Sequence, residues 1–194
     1  DLVATFEHSP ETMRLVRHGT DAIGDQAAAL FALANGLVGV EGVIDELASA
    51  PAAYLPDAYI SRPITYHESF PGYATATDTR VACPSPLLLR LHINGQPVDF
   101  AAAELVETES RLDFATGRFS RVSRWRLVGG RSLEIAADRV VPLDGAACVA
   151  SRLHIRPLDF AGDFQVSLTY GFEGEGAADG EVDERSDADR LAQP

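Results

Sequence analysis

Hydrophobic and polar residues alternate with a period of two through the interior of the chain, which is typical of half-buried β-strands. In one segment the apolar side consists of Leu87, Leu89, Leu91 and Ile93, and the other side consists of Leu88, Arg90 and His92. Asn94-Gly95 follows, and then the segment Gln96 to Phe100. Because Asn-Gly tolerates the positive φ angles of a type I′ turn, this pattern predicts a β-hairpin.

The same alternation returns in later segments, and the turns between them are short. The apolar side of one predicted strand consists of Val149, Ser151, Leu153 and Ile155. The apolar side of the next consists of Phe164, Val166, Leu168 and Tyr170. A second hairpin is predicted for 118–128 and 131–141 around Gly129-Gly130, preceded by a turn at Thr116-Gly117. The stretch from Leu87 to Tyr170 therefore resembles an antiparallel meander, and the predicted fold class is an all-β sandwich.

The N-terminal third carries two competing signals. Asp25 to Ala34 is rich in alanine and could form a helix with Asp25 as its N-cap. Asn35-Gly36, however, separates two apolar runs in the manner of a hairpin, and we favour strands on both sides of it. From Ser49 to Pro86, six prolines predict extended loop with short strands.

Composition fits a single globular domain. The chain has 194 residues, 46% of them hydrophobic, and no apolar stretch reaches the roughly 18 residues that a membrane helix needs. Cys83 and Cys148 lack the spacing of a metal or redox site and are predicted to be buried free thiols. Because the chain begins at Asp1 rather than methionine, we expect it to be part of a longer polypeptide.

The net charge of −13 is carried by 29 acids against 16 basic residues, all of them arginine. Such an acidic chain is unsuited to binding nucleic acid, which requires a basic patch. Residues 173–194 contain eight acids and two arginines, and they are predicted to form a solvated, loop-like tail after a sandwich domain at 1–172.

Individual residues give no catalytic, cofactor or metal assignment. There is no Walker, Rossmann or Gly-x-Ser-x-Gly motif, and the five histidines, which are His8, His18, His67, His92 and His154, never have the spacing of a helical metal pair. His92 and His154 lie on the polar side of their strands and could line one groove, although two surface histidines are the favoured interpretation. Glu107 and Glu109 share one strand face and are predicted to be solvated.

A polar strand face is predicted in the centre of the chain. Arg118, Arg124 and Arg126 share one side of their strand, opposite Glu134 and Asp138 on the next strand. Cross-strand ion pairs on a wet sheet surface are the favoured interpretation, and a sugar or phosphate site is the alternative. Trp125 lies on the opposite side, beside apolar residues, and is predicted to be part of the core.

The ordered succession of these blocks resembles the N-terminal domain of glycoside hydrolase family 65. The resemblance is carried by 30–42 (LFALANGLVGVEG), Tyr66-His67-Glu68, 89–100 (LRLHINGQPVDF), 112–117 (LDFATG), Ser120-Arg121, Arg124-Trp125-Arg126 and 157–162 (PLDFAG). The sequence departs from the family pattern at Glu41-Gly42, where the family usually has Arg-Gly.

The resemblance implies a β-super-sandwich similar to galactose mutarotases, incomplete at its C-terminal end. It also implies a linked (α/α)6 barrel, absent from this chain, that supplies the glutamate acid of an inverting phosphorylase or hydrolase of maltose, trehalose or kojibiose. On this basis we expect a cytoplasmic, homodimeric parent enzyme that uses inorganic phosphate if it is a phosphorylase and needs no cofactor. The chain alone is expected to be inactive.

Two other functions remain open. One is a stand-alone carbohydrate-binding β-sandwich module that uses a polar strand face or the proline-rich loops. The other is a mutarotase-like epimerase, which would require His92 and His154 to meet in one cleft beside a carboxylate.

Overall fold

The computed structural model describes residues 4–18, 25–47, 53–66, 70–83 and 88–169. Its elements, in chain order, are β1 Ala4–His8, β2 Thr12–His18, α1 Asp25–Leu30, β3 Leu33–Ala34, β4 Gly39–Val40, β5 Ala53–Pro63, β6 Ala76–Cys83, β7 Leu88–Ile93, β8 Gln96–Pro97, β9 Glu104–Asp113, β10 Arg118–Arg126, β11 Ser132–Val140, β12 Ala150–Pro157 and β13 Phe164–Thr169. The predicted tail at 173–194 lies outside the described residues. In the ranges above, no helix is long and apolar enough to cross a membrane.

Three antiparallel sheets form a sandwich, which confirms the predicted fold class. The main sheet has the strand order β1-β2-β9-β10-β11-β12. The β7 sheet has the order β13-β7-β8, and the β5 sheet has the order β3-β4-β5-β6. Both small sheets pack on the same face of the main sheet, each over a different end of its strands.

Each small sheet contributes to its own apolar cluster. The Trp125 cluster joins Leu89, Leu91 and Ile93 of β7 to Leu105, Trp125, Leu133 and Ile135 of the main sheet. The Phe119 cluster joins Leu33, Val40 and Ala53 of the β5 sheet to Met13, Leu15, Leu112, Phe119 and Val141. Trp125 is 1% exposed and contacts Phe100 edge to face, so its prediction as a core residue is confirmed.

The predicted hairpins form where the turn residues require them. Asn94 has φ of 53° and Gly95 has φ of 75°, and β7 and β8 pair across them as the type I′ prediction requires. β10 and β11 pair in register around Gly129-Gly130, both of which have positive φ. These local signals hold because the backbone conformation of a tight turn is decided by its own residues.

The predicted meander from Leu87 to Tyr170 is correct only for β9 through β12. β13 does not follow β12 into the main sheet but pairs with β7, with Val166 opposite Leu91. The segment predicted at Gln96 to Phe100 is a strand only at Gln96–Pro97. Alternation identifies a strand but not its neighbour, because long-range pairing is selected by the packing of whole sheets.

The N-terminal prediction is half right. Leu33 pairs with Val40 and Ala34 with Gly39, so the hairpin at Asn35-Gly36 exists, but its strands have only two residues each. The alanine-rich segment before it is helical at Asp25–Leu30, not extended. The local helix propensity of the alanines therefore decides the structure as far as Leu30, and the chain leaves the helix where Phe31 and Leu33 are buried in the core.

The prediction of short strands between Ser49 and Pro86 is wrong. β5 has 11 residues and β6 has 8, and they pair from Pro63 opposite Ala76 to Ala53 opposite Cys83. The pairing is irregular between Tyr54 and Tyr59, so Pro56 falls where no cross-strand partner is needed. A bulge of this kind is the usual position for a proline inside a strand.

Cys83 and Cys148 are free, as predicted, but they are not buried. Cys83 is half-buried at the end of β6, and Cys148 is exposed in the loop before β12. The apolar run around Cys148 lies outside a regular strand, so its residues do not all turn toward the core.

Candidate functional site

Four charged residues are buried between the two apolar clusters: Asp45, Glu46, Arg121 and Arg139, here called the buried charge cluster. Arg121 lies on β10 between Phe119 and Trp125 in the inward-facing phase of the strand, and Arg139 lies on β11 just before Val141. Asp45 and Glu46 come from a turn between β4 and β5. All four residues are at most 5% exposed.

Paired charges hold the cluster together. Asp45 accepts from both arginines, at 3.2 Å from Nη2 of Arg121 to Oδ2 and at 2.6 Å from Nη2 of Arg139 to Oδ1. Glu46 lies 2.8 Å from Nη1 of Arg121 through Oε2. Two carboxylates and two guanidiniums give a net charge of zero, which is what permits charges to remain in an apolar interior.

Hydroxyl groups of the main sheet complete the polar layer. Nη1 of Arg121 donates to Oγ of Ser123 at 2.6 Å, and Ser123 in turn lies 3.3 Å from Oγ1 of Thr108. Thr108 and Ser110 of β9 are buried on the same face. The inward face of the main sheet is therefore apolar at both ends and polar in the middle.

The turn that carries the two acids is held by the backbone around it. Nη1 of Arg139 donates to the carbonyl of Glu41 at 2.7 Å, and the amide of Leu89 donates to the carbonyl of Asp45 at 3.2 Å. Gly42 packs directly on Phe31, because a Cβ at Gly42 would lie 2.4 Å from the Cβ of Phe31. The turn thus connects α1, the main sheet and the β7 sheet.

The electrostatics of the cluster follow from this burial. Burial raises the pKa of the Glu46 carboxyl, because Arg121 only partly offsets the loss of water and Asp45 adds a like charge. Burial alone would lower the pKa of the Arg121 guanidinium, but Glu46 and Asp45 outweigh it and the pKa is raised. Arg121 therefore stays charged, and the Glu46 carboxyl takes up a proton at a higher pH than an exposed glutamate does.

A cavity of about 400 Å³ lies beside Glu46, between the turn and the edge of β7. Its polar lining is Glu46, Arg90, His92 and Asp99, and its apolar lining includes Leu89, Leu91 and Phe100. Nδ1 of His92 is buried and makes no hydrogen bond with the described residues, whereas the Glu46 carboxylate is engaged by Arg121. A buried ring nitrogen without a hydrogen bond beside a cavity suits a small hydroxylated ligand or bound water.

The four histidines within the described residues do not converge. His92 lines the cavity, whereas His154 is exposed on β12 opposite Ala136 of the main sheet. His8 and His18 are exposed on β1 and β2, and His67 lies outside the described residues. The condition set for an epimerase, with His92 and His154 in one cleft, is therefore not met. Among the described residues, no group of three or more His, Cys, Asp or Glu side chains could hold a metal ion.

Ion pairs cover the outer face of the main sheet, here called the outer lattice. Of the predicted pairings of Arg118, Arg124 and Arg126 with Glu134 and Asp138, the described residues show Arg124–Glu134. Arg124 contacts Glu107 at 3.0 Å and Glu134 at 3.2 Å, while Arg126 contacts Glu104 at 2.8 Å. Asp138 pairs with Arg152 of β12, a neighbour that the sequence did not predict. Glu107 and Glu109 face partly into solvent, as expected, and a hydrogen bond from Arg14 lowers the pKa of Glu109.

Sequence analysis missed the buried charge cluster. A signal was present for both arginines, because Arg121 and Arg139 occupy the apolar phase of strands whose other inward residues are hydrophobic. A charged residue in that phase indicates a buried partner of opposite charge. Asp45 and Glu46 gave no comparable signal, since they lie in a short irregular turn.

The fold places the chain in a defined class of β-sandwich domains. A solved structure described as "Putative kojibiose phosphorylase from human microbiome" superposes on 84% of this chain and 22% of its own, with a TM-score of 0.68 and 17% identity. At that identity the likeness concerns the fold alone.

Residues 19–192 match the family described as glycosyl hydrolase family 65, N-terminal domain, and the chain belongs to this family. An uncharacterized glycosyl hydrolase of Mycobacterium tuberculosis is 34% identical over 120 residues, which is 61% of this chain and 15% of the relative. The α,α-trehalose phosphorylase of Thermoanaerobacter brockii is 27% identical over 139 residues, 69% of this chain and 18% of the relative. The chain thus spans less than a fifth of these relatives.

Proposed function

We propose that this chain is the non-catalytic sandwich domain of an inverting α-glucoside phosphorylase or hydrolase and supports a linked catalytic barrel. The observation that carries the proposal is the buried charge cluster. Its acids are engaged by arginines inside the domain, so the strongest electrostatic feature serves to join sheets, not to meet a substrate. Family membership and the much greater length of the relatives support the same assignment.

The reaction we propose belongs to the whole polypeptide. A glutamate of the barrel gives its proton to the glycosidic oxygen while phosphate or water attacks the anomeric carbon from the opposite face, so the C–O bond breaks with inversion. Maltose, trehalose and kojibiose are the proposed substrates, and inorganic phosphate is the co-substrate if the enzyme is a phosphorylase. We propose a homodimeric parent in the cytoplasm, where free cysteines such as Cys83 and Cys148 stay reduced.

The test compares this chain with the full-length polypeptide. Each is incubated with maltose, trehalose or kojibiose, with and without phosphate, and release of glucose or glucose phosphate is measured. We expect turnover by the full-length polypeptide and none by the chain alone. Turnover by the chain alone, or a full-length polypeptide inactive on every α-glucoside, would contradict the proposal.

A second candidate function is carbohydrate binding in the cavity beside Glu46. It is favoured by Nδ1 of His92, a buried polar atom that makes no hydrogen bond with the described residues and belongs to a residue lining this cavity. The mixture of carboxylates with Arg90 and His92 suits a neutral hydroxylated ligand better than an ion of either sign.

Titration with α-linked disaccharides tests this second function. If the cavity binds sugar, NMR shifts saturate for wild type and for His154→Ala, which removes an exposed histidine elsewhere, but not for His92→Ala. If the chain is only a scaffold, none of the three proteins shows a saturable shift.

A further inference from the structure

The hairpin made by β5 and β6 is joined to the rest of its sheet only at its base. Residues 53–66 and 70–83, which form this hairpin and the described part of its connection, are here called the arm. β4 pairs only with Tyr54 and Ala53 at the base of the arm. Beyond that base, β5 pairs with β6 alone, and β6 is the last strand of its sheet. Two-stranded ribbons of this kind are marginal in water unless something packs against them.

The arm exposes several large apolar side chains. Leu55, Tyr59, Ile60, Phe70 and Tyr73 are between 44% and 53% exposed. Near its tip the rings associate with one another, since the centroid of Tyr73 lies 4.9 Å from that of Tyr66 and 5.5 Å from that of Phe70. Even so, about half of the Phe70 and Tyr73 surfaces remain uncovered.

Large apolar side chains are exposed on both faces of the ribbon. Tyr59 and Ile60 are consecutive residues of β5, so their side chains point to opposite faces, and each is 49% exposed. A ribbon with one apolar face would fit a flat partner surface. A ribbon with two fits a groove that encloses it from both sides.

Composition separates the arm from the rest of the surface. The arm contains four of the five tyrosines, two acids and two arginines, so its net charge is zero and the whole net charge of −13 lies in the remaining chain. Tyrosine enrichment with depletion of charge is typical of the core of a protein interface. The outer lattice of the main sheet, by contrast, is covered by ion pairs such as Arg126–Glu104 and Arg156–Glu134.

We infer that the arm inserts into a groove on the catalytic portion of the same polypeptide. This inference rests on the proposed function, which supplies that portion. The relatives are more than five times longer than the segment they share with this chain. The rest of such a polypeptide would be a large, covalently linked partner for the arm. A groove with an apolar wall and few charges is the partner surface that the arm fits.

The experiment places a photo-crosslinking amino acid at Tyr73 of the full-length polypeptide and identifies the linked peptides by mass spectrometry. We expect links to the catalytic portion of the same molecule. Val128, which is 68% exposed beside the Trp125 cluster at the opposite end of β10 from the Phe119 cluster, is the matched negative position, and Phe160, which packs against the Trp125 cluster, is the positive control. Links to a second copy, seen by mixing isotope-labelled protein, or no links at Tyr73 while Phe160 gives them, would overturn the inference.

Phe70→Ser/Tyr73→Ser in the full-length polypeptide gives an independent measurement. Loss of two aromatic anchors should speed proteolysis between the domains about tenfold or more, whereas Val128→Ser/Leu143→Ser, two other exposed apolar residues, should leave the rate unchanged. Equal rates for both double variants would contradict the inference. Because neither readout uses catalysis, failure of the docking inference remains distinct from an inactive full-length polypeptide, which is the failure of the proposed function.

Discussion

The two faces of the main sheet carry the same types of charged residue in opposite settings. On the inner face, Arg121 has 0% side-chain exposure and contacts acids that are also enclosed. On the outer face, Arg124 has 50% side-chain exposure and contacts Glu107 and Glu134 at similar distances. The N–O distances alone would suggest that these ion pairs are equally important for stability. The pairs differ in burial.

The difference lies in what happens when one partner is lost. Water and salt can solvate an outer carboxylate whose arginine has been removed, so exposed pairs contribute about 0 to 1 kcal/mol. A carboxylate left alone in the interior has no such replacement, and breaking a buried pair costs about 3–5 kcal/mol. Charge pairs that look alike can therefore have very different structural importance.

The largest expected effect comes from Arg121→Met. The variant leaves Glu46 without its arginine and Asp45 with Arg139 only, so we expect the free energy of unfolding to fall by about 3–5 kcal/mol. The matched variant on the outer face, Arg124→Met, should lose less than about 1 kcal/mol. Urea denaturation of both variants measures the difference.

The double variant Arg121→Met/Glu46→Gln sharpens this test. It removes both partners and keeps the Asp45–Arg139 pair, so part of the stability lost in Arg121→Met should return. Similar stabilities for Arg121→Met and Arg124→Met would show that burial does not distinguish the two faces.

A smaller effect is expected from Gly42→Ala, which disturbs the backbone that positions the buried acids. The new Cβ would lie 2.4 Å from the Cβ of Phe31, a residue only 1% exposed, so the turn must shift. We expect a loss of about 1–3 kcal/mol, measured as a lower unfolding midpoint. In Gly39→Ala the nearest atom is 3.5 Å away, and little change is expected. A Gly42→Ala variant as stable as Gly39→Ala would mean that the turn is not tightly held.

The smallest expected effects are opposite pH dependences of stability for Glu46 and Glu109. The pKa of Glu46 is raised by burial above its unfolded value of about 4.5, so its contribution is present at low pH and is lost as pH rises through the folded pKa. The pKa of Glu109 is lowered by the hydrogen bond from Arg14, so its contribution is present above about pH 4.5 and is lost as pH falls.

Measurements of the free energy of unfolding from about pH 3 to about pH 8 test the direction of both pH dependences. Glu46→Gln should flatten the decline of stability above about pH 4.5, and Glu109→Gln should flatten the loss of stability on acidification. Changes of slope in the same direction for the two variants would refute the contrast between the faces.

Much of the secondary structure could be predicted because its causes are local. Asn94-Gly95 and Gly129-Gly130 require turns whatever surrounds them, and the alternation of Leu89, Leu91 and Ile93 already indicates which side is buried. Predictions failed where two local rules competed. Prolines argued against β5, yet a bulge accommodated Pro56.

The site was harder to predict than the fold. Glu107, Glu109 and Arg124 drew attention as charges on a polar face, and the structure places them in the outer lattice. The charges that join the sheets come from two strands and a distant turn, with Arg121 and Asp45 separated by 76 positions. A pairing of that range depends on how the sheets stack.

The sequence by itself determined where β7, β10, β11, β12 and β13 run, where the hairpins at Asn94-Gly95 and Gly129-Gly130 turn, and which sides of these strands carry apolar residues. These features follow from side-chain alternation and from the backbone freedom of Asn and Gly. Only the tertiary structure decided that β13 pairs with β7, that two small sheets share one face of a larger one, and that Asp45 and Glu46 meet Arg121 and Arg139 between them. The physical reason is that hydrogen bonding along a strand is indifferent to the identity of its neighbour. Burial of apolar area and neutralisation of enclosed charge depend on the whole assembly at once.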